Sequence, residues 1–307
     1  MERKILAAID GSDQAMDAVR YIGRMFPVGN TEVVLLNIFI EVPESFLDLS
    51  MEPAFRSRIT SISMWSNQMR INIENSMSEA KKILKDAGFP SKSVKTKIQT
   101  KNIGIARDIL KESRKGYSLV VAGRTGLSHI KDVIMGNIST KLIGRIPEIP
   151  VAIISGDPDA KKILIGFDGS AGAMKAVRCI GRLTVDTDCK ITLCYVIRPM
   201  GFYHGIAKYF NPEEEESWIA ENRELIEPAF ALAENSLKNE GFSSGRISRE
   251  ILRKKTSRAA AISHKAEEGY GTVVIGRRGL TAVEEFVMGR VSTKVLNMVT
   301  KSAVWIV

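Results

Sequence analysis

The chain repeats itself from end to end, and no other feature restricts its fold as much. "RKILAAIDGSDQAMDAVRYIGRM", from Arg3, returns as "KKILIGFDGSAGAMKAVRCIGRL", from Lys161. "TEVVLLNIFI" returns as "CKITLCYVIR", and "SLVVAGRTG" as "GTVVIGRRG". The offset between copies is 158 residues at the first of these pairs and 153 at the last. A period this long means two whole domains, since solenoid units run to about 20–50 residues. The 307 residues then divide into domains at 1–155 and 161–307, each of ordinary domain size. Between them "SGDPDAKK", Ser155 to Lys162, supplies the Gly, Pro and Asp of a short linker. So short a linker implies that the copies touch.

Within each copy, short apolar runs alternate with helical periodicity. "KILAAI" is too short for a helix and suits a strand buried on both faces. The residues after it set Ala15, Val19, Ile22 and Met25 at three- and four-residue steps, which predicts an amphipathic helix. Ser12 is placed to cap it, as Ser170 is in the second copy. "TEVVLLNIF" reads as a second strand, and a long helix ends at "KDAG". "KTKIQT" reads as a third strand, followed by a helix through "IARDILKES". "SLVVAG" and "PVAIIS" complete five strands, and the second copy closes on "SAVWIV". This alternation predicts the α/β class, with an open parallel sheet in each copy and helices on both faces. The last strands should be sheet edges, and an exposed apolar edge has to be covered. The expectation is an intramolecular pseudo-dimer in which residues 150–155 and 302–307 meet, with a further homodimer of whole chains left open.

Composition removes several function classes. With 44% hydrophobic and 26% charged residues the chain reads as globular. No apolar run approaches the roughly 18 residues of a membrane span, and the start lacks the pattern of a signal peptide. Cys179, Cys189 and Cys194 form no CxxC pair and no metal spacing with the three histidines, so reduced, buried thiols in a cytoplasmic protein are expected. No histidine has a Ser or Cys partner at motif spacing, so no nucleophilic triad is read. The net charge of +9 is spread thinly, without interleaved aromatics, which argues against nucleic acid as a partner.

One glycine-rich stretch occurs twice: "GRTGLSHIKDVIMGNISTKL" from Gly123 and "GRRGLTAVEEFVMGRVSTKV" from Gly276. Nine of the twenty positions are identical, and the three glycines keep the same spacing. Gly123 and Gly126, like Gly276 and Gly279, would permit positive φ and close backbone approach. Gly136 and Gly289 precede a helix, whose first amides and dipole form an anion site. Ser139 and Thr140, or Ser292 and Thr293, would add hydroxyl donors, and Arg124 and Arg277 would add positive charge. In an open parallel sheet, ligands bind beyond the carboxyl ends of the strands where the winding reverses. Asp10 and Asp168 end the first strands there. A carboxylate repels phosphates, so its role would be to accept hydrogen bonds from a base or ribose, or to help hold a magnesium ion. The motif is not the P-loop, which needs GKS or GKT, nor GxGxxG, which follows a first strand.

These residues resemble the universal stress proteins in their tandem two-domain form, over almost the whole chain. The resemblance rests on "AAIDGS" and "IGFDGS", the buried second strand, and G-x2-G-x9-G ahead of a Ser/Thr-rich helix start. It implies two five-stranded parallel sheets of order 3-2-1-4-5, a flavodoxin-like arrangement, with ATP as the ligand. Carried over by position, it implies a site of Asp10, Ile38, Gly123, Gly126, Gly136, Asn137, Ile138 and Ser139. In the second copy it implies Asp168, Val196, Gly276, Gly279, Gly289, Arg290, Val291 and Ser292. The sequence departs from the family after the third glycine, where Asn137 and Arg290 stand in place of Ser or Thr. Arg290 adds charge but also bulk, which favours the first copy as the nucleotide site.

Three functions stay open from the sequence. One is an adenine-nucleotide-binding regulator of the stress response, acting through an unknown protein partner, with ATP and magnesium in the crevice. A second is a scaffold of the same fold without nucleotide. The third is a slow ATPase, for which no general base is visible. The stretches 41–64 and 198–216 differ between copies and would form a lid, a partner surface or a packed insertion; Phe46, Leu49, Met51 and Phe55 are the apolar residues of the first.

Overall fold

The computed structural model describes residues 3–40, 56–126, 135–145, 149–198, 211–253, 257–278 and 288–307. The first half runs β1 (Arg3–Ala8), α1 (Asp13–Met25), β2 (Thr31–Phe39), α2 (Arg56–Asp86), β3 (Val94–Thr100), α3 (Ile105–Ser113), β4 (Leu119–Gly123), α4 (Asn137–Arg145) and β5 (Val151–Ile154). The second half repeats the order as β6 (Lys162–Gly166), α5 (Ala171–Thr184), β7 (Lys190–Ile197), α6 (Pro212–Asn239), β8 (Ile247–Arg253), α7 (Arg258–Ala266), β9 (Thr272–Ile275), α8 (Arg290–Met298) and β10 (Ala303–Ile306).

Each half has the expected strand order, but the two sheets are not separate. The strands form one ten-stranded sheet in the order β3-β2-β1-β4-β5-β10-β9-β6-β7-β8. All neighbours within a half are parallel. The one antiparallel pair among the described strands is β5 with β10, where Ile153 faces Val304, Ala152 faces Trp305 and Val151 faces Ile306. Both strands are four residues long and fully buried. Their apolar side chains and unpaired backbone groups can only be satisfied by each other, which is why the edge closes on itself. The outer edge at β3 is more polar: only Val94 is buried, and the strand carries Lys95 and Lys97, charges that discourage further strand addition.

The core is two apolar layers, one on each face of the sheet. Ile5 and Ala7 join the layer under α1, α2, α5 and α6, whereas Leu6 points to the layer under the other helices. This period-two alternation is the strand geometry itself. Both layers cross from one half into the other without a break. Ala15, Val19, Ile22 and Met25 are buried as their spacing requires. Ser12 and Ser170 cap their helices by accepting from Ala15 N–H and Ala173 N–H, each at 3.2 Å. The long helix α6 begins at a capping box between Asn211 and Glu214, with Pro212 at its first position. Residues 41–55 and 199–210, where a lid or partner surface was expected, lie outside the described residues, and the rest of those stretches enters α2 and α6.

Candidate functional site

The winding reverses between β1 and β4, which are hydrogen-bonded neighbours. At their carboxyl ends lies a cavity of about 700 Å³. Its lining includes Asp10, Ile38, Gly123, Gly126, Gly136, Ile138 and Ser139, so the structure gathers most of the residues named from the first copy. Asp10 is the one carboxylate among the described lining residues. Its Oδ1 accepts from Ser12 N–H at 3.0 Å and from the Ser12 hydroxyl at 2.6 Å. That pair fixes the carboxylate at the turn from β1 to α1, where Gly11 has φ +88°, a conformation that favours glycine.

The loop glycines act through closeness rather than positive φ; none of Gly123, Gly126, Gly136, Gly276 and Gly289 adopts it. A Cβ on Gly123 would stand 2.8 Å from the Gln14 carbonyl on α1. A Cβ on Gly126 would collide with the Asp10 carboxylate, and one on Gly136 would lie 3.2 Å from Arg124 O. Gly136 N–H donates to Arg124 O at 2.8 Å, which folds the loop back over the strand end. The first bond of the α4 ladder runs from Thr140 N–H to Gly136 O at 3.1 Å. The amides of Asn137, Ile138 and Ser139 therefore stand ahead of the ladder, the arrangement that attracts an anion.

Two expectations about side chains are corrected. Ser139 does not offer its hydroxyl proton to the crevice; it donates to Gly123 O at 2.8 Å, and Ser292 donates to Gly276 O at 2.8 Å. Thr140 and Thr293 likewise donate back to Gly136 O and Gly289 O. The arginines also leave the loop. Arg124 is 7% exposed and does not line the cavity. It crosses the seam and donates to Leu296 O at 2.7 Å and Val299 O at 2.8 Å, at the end of α8. Arg277 reciprocates by donating to Ile143 O near the end of α4. Carbonyls at a helix C-terminus carry the negative end of the dipole, so each guanidinium finds a partner that the solvated loop lacks. Burial pulls both guanidinium pKa values down, at Arg277 with help from the neighbouring Arg278 charge.

The sequence reading missed the far wall, made by Met69, Asn72, Ile73, Asn75 and Ser76 of α2 with Ile105 and Ile109 of α3. A signal existed: Met69, Asn72, Ile73 and Ser76 recur at three- and four-residue steps and share a helix face.

The second half rebuilds this wall. Positions equivalent to Asn72, Asn75 and Ser76 are Leu225, Pro228 and Ala229, and the position of Ile105 is Arg258. Tyr195 replaces Asn37, and its hydroxyl donates to Asn222 at 3.4 Å. Burial raises its phenol pKa; Arg258 opposes this and Asp168 adds to it, so all three groups share one neighbourhood. Asp168 Oδ1 accepts from Ser170 N–H at 3.1 Å, as Asp10 does from Ser12. Val196 is buried, Gly289 caps α8, Val291 is half-buried and the Arg290 side chain is exposed. Gly279 and the Asn137 side chain lie outside the described residues. Among the described residues no group of three or more His, Cys, Asp or Glu could hold a metal. No described helix is long and apolar enough to cross a membrane.

Comparison with known proteins bears on the whole chain. The model of the universal stress protein family matches twice, at residues 1–155 and 160–307. A universal stress protein of Mycolicibacterium smegmatis is 25% identical over 174 residues, 55% of each chain, so the match spans about half of that relative. Universal stress protein YxiE of Bacillus subtilis is 28% identical over 172 residues, half of this chain and 99% of the relative. The crystal structure of a universal stress protein from Archaeoglobus fulgidus superposes with a TM-score of 0.63 at 18% identity, covering 99% of this chain and 97% of that one.

Proposed function

The chain belongs to the universal stress protein family in its tandem two-domain form, and on that premise we propose that it is a regulatory protein that binds ATP in the first-half crevice. The observation that supports this is the pairing, in one cavity of about 700 Å³, of Asp10 with the leading amides of α4. The two ends suit opposite ends of one ligand. The amides and the helix dipole favour the phosphates. Asp10 accepts hydrogen bonds from ribose hydroxyls, and Ile38, Ile73, Ile105 and Ile109 offer the apolar walls that a base requires. Magnesium fits as a companion of the phosphates, since that ion is commonly held by one or two carboxylates together with phosphate oxygens. The second half, where Tyr195 and Arg258 share the neighbourhood of Asp168, is the less suited to the same base. Signalling then passes through a protein partner in the cytoplasm.

Denaturing the purified protein and chromatographing the supernatant tests the reading directly. Adenine nucleotide should be recovered, or Mg-ATP should raise the melting temperature of stripped protein. Ligand at 100 times its dissociation constant stabilises by about 2.7 kcal/mol. Protein that yields no nucleotide and shows no shift would remove the proposal.

A further inference from the structure

We infer that two copies of this chain associate through the exposed sides of their long helices, α2 of one against α6 of the other. Large apolar side chains at the surface concentrate there. Of the nine that stand exposed among the described residues, five are Met64, Trp65 and Ile71 of α2 and Leu225 and Leu232 of α6. Apolar residues scattered singly over a surface need no explanation, but a stripe of them marks a contact. Met64 and Ile71 are seven residues apart, and so are Leu225 and Leu232. Seven residues make about two turns, so each pair lies on one side of its helix, about 10.5 Å apart along the axis. The helices cannot cover each other within one chain. They sit at opposite ends of the sheet, α2 on α1, β2 and β3, and α6 on α5, β7 and β8.

Charge selects both the occupant and the direction. Helix α2 carries six basic and three acidic residues, and α6 carries eight acidic and two basic. Laid antiparallel with Ile71 against Leu225, the two put Met64 against Leu232. The same register sets Lys82 against Glu214 and Asn75 against Glu221. By the helical period, Lys82 and Asn75 share the side of Met64 and Ile71, and Glu214 and Glu221 share the side of Leu225 and Leu232. All four polar residues are exposed, and on these facing sides no like charges meet. The parallel alternative carries Lys82 past Asn239, the last residue of α6, and loses both polar matches. The repeat supplies an internal control. The second half has Ser217 and Glu224 where the first has Met64 and Ile71, and the first has Asn72 and Glu79 where the second has Leu225 and Leu232. Neither helix reproduces the other's surface, so the contact joins unlike ends of two chains.

Sedimentation velocity of the full chain over a dilution series tests the contact. At about 0.01 M ionic strength, where charges act over about 30 Å, wild type should sediment as a species larger than the monomer. At about 1 M, where that reach falls to about 3 Å, association should weaken at least about tenfold. Ile71→Glu and Leu225→Lys, both at exposed positions, should each weaken it at least about tenfold and leave the melting temperature unchanged. Mixing these two variants should restore association, because the introduced carboxylate and ammonium then face each other. Ile98→Glu, on the outer strand β3, should associate as wild type does. Wild type that stays monomeric at low salt overturns the inference. So does association that both helix variants keep, association that Ile98→Glu abolishes, or a mixture that does not recover.

Discussion

At the scale of single residues, Gly126 carries the sharpest consequence. Any side chain there meets the Asp10 carboxylate, so the acceptor and the phosphate loop cannot both hold their places. Gly126→Val should erase the Mg-ATP thermal shift while leaving the ligand-free melting temperature close to wild type; a full shift in that variant would place the ligand elsewhere. Glu112 offers a pH test of stability. It is 5% exposed and accepts from Lys97 at 2.7 Å, Lys115 at 2.9 Å and Tyr117 at 3.0 Å. Burial acts to raise its pKa, but the hydrogen bonds from Lys115, Lys97 and Tyr117 win and lower it from 4.5 to about 2. A carboxylate depressed on folding stabilises the protein above its unfolded pKa and loses that contribution as pH falls through the folded value. Glu112→Gln should therefore cost about 1.5–3 kcal/mol at pH 7, with the gap to wild type closing between pH 4.5 and pH 2. Urea unfolding across that range measures it, and a gap independent of pH contradicts the assignment.

At the scale of elements, the nine-residue helices α4 and α8 are bound at both ends by different halves. Each begins at its own glycine loop and ends against the arginine of the opposite loop. Arg124→Ala should destabilise by about 1.5–3 kcal/mol, the range for hydrogen bonds to a charged group, and Arg277→Ala by a similar amount. Hydrogen exchange should show α8 opening first in the former and α4 in the latter; identical patterns in both would sink the crossed arrangement. This is also where the sequence stopped being legible. Strands, helices, caps and the approach of Asp10 to the glycines follow from periodicity and spacing, which are local properties. The destination of Arg124 is not local: nothing within the loop reveals that a helix end from 172 residues away offers carbonyls. The α2 wall escaped for a related reason, since Asn72 and Ser76 look like an ordinary solvated face until the neighbouring strands are placed. Gly123, Gly126 and Gly136 lie around one cavity, but the left-handed turn belongs to Gly11 and Gly169.

At the scale of the molecule, β5 and β10 make ten strands out of two sets of five. Ile153→Pro removes a ladder donor from a strand that is paired on both sides, where proline is normally excluded. The variant should melt lower and show a larger radius of gyration by small-angle scattering, as the halves separate; unchanged size and stability would show that the seam does not hold them. This contact is made inside one chain, between two halves of different sequence. A symmetric dimer must repeat every substitution on both sides of its axis. Covalent tethering lifts that obligation, so Ile105 can stand in one half where Arg258 stands in the other. A repeat carried within one chain thus leaves each flank free to specialise on its own.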